Sequence, residues 1–409
     1  MFRLILATLT ILVFAVSAEG ATLSVPSEYS TIQAGIDAAV SGDAVLVANG
    51  TYAGNGNKNL DFKGKSITVK SESGTTNCII DCQGEGRGFY FHSNEKKASV
   101  VDGLTIKNGY ASDYGGGIYC LNSSPTIINN IITGSKSLGG GGGIYCYEAS
   151  PEITNNIIIS NSAMNGGGIG LNTSCAVISD NTIEDNSATY GAGIACHDST
   201  CIVIKNNHIA DNKSAEWGGG IVFANSSPKE FTNNIFANNA AGEFGGAIYC
   251  KNSNLTIQGG EITGNKADVS GGGLYVSAGS TVTGNCWVHD NTPDDIAGDG
   301  DFKDFALPVI LSQFSAIIVS DGVRLFWETA SENENLGFNV YWSRDKKDWQ
   351  KIKWVDGAGR AAEYSFSDND HSAGYYLLEQ VDFSGEKKKL KIVRAGELLA
   401  RTWGEIKRR

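Results

Sequence analysis

Apolar residues through the middle of the chain come in short patches and never in long helical runs. Ile118, Ile144, Ile169, Ile194, Ile221, Ile248 and Leu274 hold one position of a recurring phrase. Two residues further on stand Cys120, Cys146, Leu171, Cys196, Phe223, Cys250 and Val276. Alternate positions of a strand face the same side, so both rows are predicted to point inward. A second patch carries Ile127, Ile153 and Ile257. A third carries Ile158, Ile183, Ile209, Phe236, Ile262 and Val288, each followed three residues later by asparagine. No window offers a full helix at 3.6-residue spacing, and leucine is too scarce for a leucine-rich horseshoe.

The phrase is periodic. Glycine-rich triplets begin at Gly115, Gly141, Gly166, Gly191, Gly218, Gly245 and Gly271, in steps of 25 to 27 residues. Asn130, Asn156, Asn181, Asn207 and Asn234 keep the same spacing, as do Asn161, Asn186, Asn212, Asn239, Asn265 and Asn291. A fixed period of this length signals a solenoid. Three short strands per turn with bends between them predict a parallel β-helix of about ten coils, a rod of roughly 50 Å at the inter-strand spacing. Glycine permits the bends and the close approach of stacked backbones. Asparagine tolerates left-handed turns, and its stacked amides can bond along the axis. Thr31 to Ala39 reads as a short amphipathic helix with Ile32, Ile36 and Ala39 on one face, suited to capping the open end of the rod.

The literal pair Phe236-Ala-Asn-Asn239 and Gly245-Gly-Ala-Ile248 resembles the repeat of polymorphic outer-membrane proteins. The opening from Ser30 to Tyr52, followed by Gly64-Lys-Ser-Ile-Thr-Val-Lys and Ile79-Ile-Asp-Cys-Gln-Gly, is similar to that of pectin-esterase-like β-helices. The resemblance implies a right-handed β-helix of the pectate-lyase-like superfamily over residues 22–300, within an all-β chain. It is specific for fold and unspecific for activity.

After Leu307 glycine falls and Trp, Lys and Arg rise. Alternating segments such as Val323-Arg-Leu-Phe-Trp-Glu and Gly337-Phe-Asn-Val-Tyr-Trp, separated by turn signals, predict a small β-sandwich with Trp327 in its core. The wording resembles a fibronectin-III-like module. The expected organisation is a signal peptide at 1–18, the β-helix at 19–300, a linker at 301–306, the sandwich at 307–396 and a basic tail at 397–409. Arg3, the apolar run Leu4 to Val16 and the small residues up to Ala18 form the export signal. Export predicts an extracellular or cell-surface location and permits disulfides.

The net charge of −12 excludes a nucleic-acid binder, which needs a basic face. No later segment is apolar enough to span a bilayer, and the protein is expected to be monomeric. Candidate catalytic residues are few. Arg87 is the lone arginine of residues 22–300; with Asp81 and Asp102 it is a weak candidate for a uronide lyase, which needs a base and a cation for the enolate. The competing reading pairs Arg87 with a surface acid. Asp294-Asp295 falls at the end of the rod and reads as a turn. Asp299, Asp301 and Asp304 alternate like a calcium loop without its full ligand pattern. No cofactor is expected, calcium being the one possibility. His197 and His208 read as surface histidines.

The position between the two inward rows carries Tyr119, Tyr145, Gly170, Ala195, Val222, Tyr249 and Tyr275, with Tyr147, Asn172, His197 and Lys251 next to it. Exposed tyrosines on a flat sheet suit stacking on sugar rings, which makes Tyr119, Tyr145, Tyr147, Tyr249 and Tyr275 the candidate ligand-binding residues. Alternatively the stack stabilises the sheet or faces loops. Cys175 and Cys201 share a register on adjacent coils, as do Cys120 and Cys146; the first pair suits a disulfide, and the row of Cys120 suits small core hydrophobes. The functional expectation is a non-enzymatic exported protein that binds polysaccharide or adheres to a cell surface. A polysaccharide lyase or hydrolase and a structural stalk are the alternatives.

Overall fold

The structure, a computed structural model, describes residues 20–303, 310–331, 335–358, 362–382 and 387–396. The expected signal peptide, Asp304 and the basic tail lie outside the described residues. Residues 20–303 form a parallel β-solenoid in which each coil adds one strand to several sheets. One coil shows the plan. Ile118–Leu121 follows the glycine triplet, Thr126–Ile128 and Ile131–Thr133 make the next two faces, and Lys136–Ser137 makes a fourth. Stacked across coils these give sheets of nine, nine, ten and seven strands, called here the first to fourth sheets. The fourth is an addition to the three predicted. Its strands are short and polar, Lys136–Ser137 and Ala240–Ala241 being two residues each.

Register is held without slippage through the first three sheets. Ile118 pairs with Ile144, then Ile169, Ile194, Ile221 and Ile248, and Cys120 follows the same path to Cys250. All of these are buried to the last atom and join one core that runs from Leu23 to Val288. The predicted cap is present as the helix Ile32–Ala38. Thr31 accepts a hydrogen bond from the Ala34 N–H at its N-terminus, and Ile32 and Ile36 are buried.

The asparagine pairs divide two tasks between neighbours. Asn129, Asn155, Asn206 and Asn233 take left-handed backbone angles at the bend between the second and third sheets. Asn130, Asn156, Asn181, Asn207 and Asn234, one residue on, are buried and stack along the axis. Each Oδ1 accepts from the preceding coil, as where Asn156 Oδ1 takes the Asn130 N–H at 2.9 Å, and Nδ2 donates to a strand carbonyl. A parallel ladder runs from Asn161 to Asn291 at the next bend and ends on Asp295, whose Oδ1 accepts from both the N–H and Nδ2 of Asn291. Asp295 therefore closes a ladder at what the sequence suggested was only a turn. A third ladder, absent from the sequence reading, is built from Ser174, Ser199, Ser226, Ser253 and Ser280, each hydroxyl accepting from the backbone of the coil before. These ladders satisfy backbone donors that the bends would otherwise bury unpaired.

Asp301–Lys303 pairs with Thr281–Thr283, so the solenoid reaches three residues into the expected linker. Cys175 and Cys201 form a disulfide between adjacent coils, with Cα atoms 4.8 Å apart. Cys120 and Cys146 remain free thiols in the core. In the C-terminal module a three-stranded antiparallel sheet (Ile310–Val319, Gly322–Ser331, Ala362–Asp368) accompanies a four-stranded one (Gln350–Asp356, Asn335–Ser343, Tyr375–Asp382, Lys387–Arg394). They share a core in which Trp327 packs edge-on to Phe338 at 5.8 Å, as the predicted sandwich requires.

Candidate functional site

The residue between the two inward rows of the first sheet is directed away from the core, yet the tyrosines there are not exposed. Tyr119, Tyr145 and Tyr249 keep only 8, 6 and 6% of their surface, whereas Tyr147 keeps 36%. The expectation of a flat exposed tyrosine face is thereby corrected. The cause is a second aromatic row. The residue just before each glycine triplet, at the corner leading out of the fourth sheet, reads Tyr114, Gly140, Asn165, Tyr190, Trp217, Phe244 and Ser270. A ring in this corner row covers the strand ring of the next coil. Tyr114 stacks on Tyr145 at 4.5 Å, Trp217 on Tyr249 at 5.1 Å, and Phe244 packs against Tyr275 at 4.6 Å. Burial pushes the Tyr119 hydroxyl up to about 12 and raises Tyr145 and Tyr249 as well.

Two aromatic clusters result. One holds Tyr90, Tyr114, Tyr119 and Tyr145; the other holds Tyr190, Trp217, Phe244, Tyr249 and Tyr275. Between them the strand row drops to Gly170, Ala195 and Val222, and the corner row offers Gly140 and Asn165. The missing rings leave a groove made of two adjoining hollows of about 390 and 190 Å³. Asn165 and His197 line both. Tyr145 leans into the smaller one: a Cβ on Gly170 would lie 2.7 Å from its ring, and the ring is tilted 54° from Tyr119. The larger is walled by Tyr190, Trp217 and Tyr249, with Asn225, Asn252 and Lys251 at its side. Lys251 lies 5.3 Å from the Trp217 ring centre. His197, expected at the surface, is half-buried; desolvation lowers its pKa, and its Nε2 is buried without a hydrogen-bond partner. Tyr145, Tyr249, His197, Asn172 and Lys251 thus come together as their shared register implied. Tyr119 and Tyr275 lie in the flanking clusters.

The weak catalytic candidates are not assembled. Arg87 pairs with Asp113, donates to the Tyr114 carbonyl at 2.9 Å and lies over the Tyr90 and Tyr119 rings. Asp81 ends a strand of the third sheet and accepts from Asn108 and the Gln83 backbone, with Lys107 3.2 Å away. Burial alone would raise its pKa, but these hydrogen bonds outweigh it and hold the carboxyl low. Asp102 ends a strand of the second sheet and accepts from Asn129. His208 pairs with Glu184 at 2.9 Å on the third sheet. Among the described residues no three His, Cys, Asp or Glu side chains group as a metal site; Asp301 lies in the last strand of the solenoid and Asp299 just before it. Burial pushes the Cys82, Cys250 and Cys286 thiols up to about 12, which keeps them protonated and inert.

The sequence profile described as right handed beta helix region matches residues 27–199 and again 116–293. The chain belongs to this right-handed β-helix family. Together the two matches take in about two thirds of the chain. No curated relative matches by sequence. Among solved structures, a mutant of a PL6-family alginate lyase is similar with a TM-score of 0.36 and 13% identity, over 76% of this β-helix chain and 56% of that one. The chain thus spans just over half of that protein's length, and a likeness at this level carries no argument about chemistry. No helix among the described residues is long and apolar enough to cross a membrane.

Proposed function

We propose that the chain is an exported β-helix protein that binds a glycan in the groove of the first sheet without cleaving it. The observation that carries this reading is the break in the aromatic lattice. Rings wall the hollow at both ends, and amides, a histidine and a lysine line it between them. Aromatic faces take up the C–H faces of sugar rings, and amide side chains donate and accept for hydroxyls. Pockets of this size with a few convergent polar groups are the common form of small-ligand sites. A polysaccharide lyase or hydrolase is the competing reading. Against a hydrolase, the described residues lining the groove include no carboxylate; against a lyase, the candidates Arg87, Asp81 and Asp102 are engaged elsewhere. A stalk without ligand would have no need of the gap, since continuing the tyrosine row would bury more surface.

The test is to incubate the full chain, with and without calcium, with a panel of polysaccharides and follow both bound protein and new chain ends. Retention without cleavage, lost in Trp217→Ala and Tyr190→Ala, is expected. New reducing or unsaturated ends would sink the non-enzymatic reading.

A further inference from the structure

We infer that the groove takes an uncharged oligosaccharide lying along the helix axis and turns away polyanionic glycans. The inference rests on the glycan-binding reading above and adds the charge and direction of the ligand. Direction follows from the placement of the two clusters. They are displaced along the stacking axis, with Tyr145 and Tyr249 four coils apart in the pairing Tyr145, Gly170, Ala195, Val222, Tyr249. Four steps at the inter-strand spacing span roughly 19 Å, and one coil is close to the length of one pyranose unit, so the gap accepts a chain of roughly three or four sugars.

The groove's charge is set by the side chains behind its lining. Among the described residues, Lys251 is the one formally charged side chain lining the two hollows. Three groove residues have a carboxylate beside them. Trp217 Nε1 donates to Glu243 at 2.9 Å, Asn225 Nδ2 donates to Asp198 at 3.1 Å, and Glu216 lies near enough to the Tyr190 hydroxyl to raise its pKa. Lys251 is further occupied by the Trp217 face. His197 adds no positive charge near neutrality, because burial favours its neutral form. A uronate or sulfate chain laid in the groove would meet one cation and three anions, within a molecule of net charge −12. Juxtaposed like charges are a strong means of rejecting a partner. An uncharged sugar meets only rings and hydrogen-bonding groups.

Calorimetric titration of the full chain tests this, with cellohexaose, xylohexaose and mannohexaose set against oligogalacturonate and oligomannuronate of equal length. At low salt at least one uncharged chain should bind, and the uronates should bind at least about tenfold more weakly. The double variant Glu216→Gln, Glu243→Gln and a rise to about 1 M salt should each narrow that gap. Uronates binding as tightly as the uncharged chains, with Lys251→Met abolishing it, would overturn the inference and leave the groove as a glycan site. Binding that survives Trp217→Ala, or none to any sugar, would overturn both readings. Trp217→Phe, which keeps a ring, is the folding control and should retain most of the affinity.

Discussion

At the scale of the residue, the buried asparagines of the ladders and the exposed asparagines of the bends differ sharply in what they hold. Asn186 is buried, accepts from both nitrogens of Asn161, and donates to the Ile158 carbonyl and to Asn212. Asn186→Ala leaves several of these groups unpaired and should cost ~2–4 kcal/mol. Asn155, exposed at the bend, pairs by its side chain with Asn129; Asn155→Ala should cost only ~1 kcal/mol, chiefly for a left-handed backbone. Urea melts of the two variants separate them, and equal costs would deny the ladder its role. Two histidines give opposite pH responses. Burial lowers the pKa of His197, so protonation favours the unfolded chain, and stability falls as pH drops below ~6.5. His289 is also penalised by burial, but its hydrogen bonds to Asp290 and Glu261 win and raise it. Its contribution is full below ~6.5 and fades as pH rises through the raised value. His289→Gln should therefore be destabilised at about pH 5 and close to neutral at about pH 8.5, while His197→Asn should gain on the parent at the lower pH. Thermal melts at both values check the signs.

At the scale of the element, the groove exists because the strand row and the corner row both exchange large for small side chains over successive coils. Gly170 is the clearest single position. A Cβ there would meet the Tyr145 ring at 2.7 Å and the Gly141 nitrogen at 2.8 Å; the ring can swing, but the backbone cannot. Gly170→Ala should cost ~1–3 kcal/mol by overpacking and weaken glycan retention by moving Tyr145, measured by denaturation and by binding to an immobilised glycan. An unchanged affinity would place the ligand away from Tyr145. Half of this site was legible in the sequence. The strand row from Tyr119 to Tyr275 and its neighbours His197 and Lys251 stood out because inward and outward positions alternate in a fixed register. The corner row was not legible. Tyr114, Gly140, Asn165, Tyr190, Trp217, Phe244 and Ser270 mix aromatic, small and polar types, so periodicity alone does not mark them. The one available signal was that each stands directly before a glycine triplet. Burial of the tyrosines was hidden for a related reason. Tyr114 covers Tyr145 from the neighbouring coil, a relation through space that spacing along one coil does not show. The fourth sheet escaped because pairs such as Lys136–Ser137 are too short and polar to carry an alternation.

At the scale of the whole molecule, the fold was legible almost entirely, since a solenoid repeats one local solution and its period is written in the chain. Stability in such a rod is carried between neighbouring coils, which gives the single disulfide a local meaning. Cys175 and Cys201 close a span of 26 residues, and that span contains Tyr190, Ala195 and His197, the wall and floor of the groove. Closing a loop of this length is worth ~3 kcal/mol in the chain-entropy view. Reduction should therefore loosen this coil before the rest. Hydrogen exchange should rise first across residues 176–200, and glycan retention should fall without loss of the capping helix. The solenoid and the sandwich have separate cores, so calorimetry should show two transitions, with reductant lowering only the one that belongs to the solenoid. Equal downward shifts of both transitions would mean that the two cores unfold as one. Faster exchange confined to the ends of the rod would mean that the disulfide braces something other than the groove.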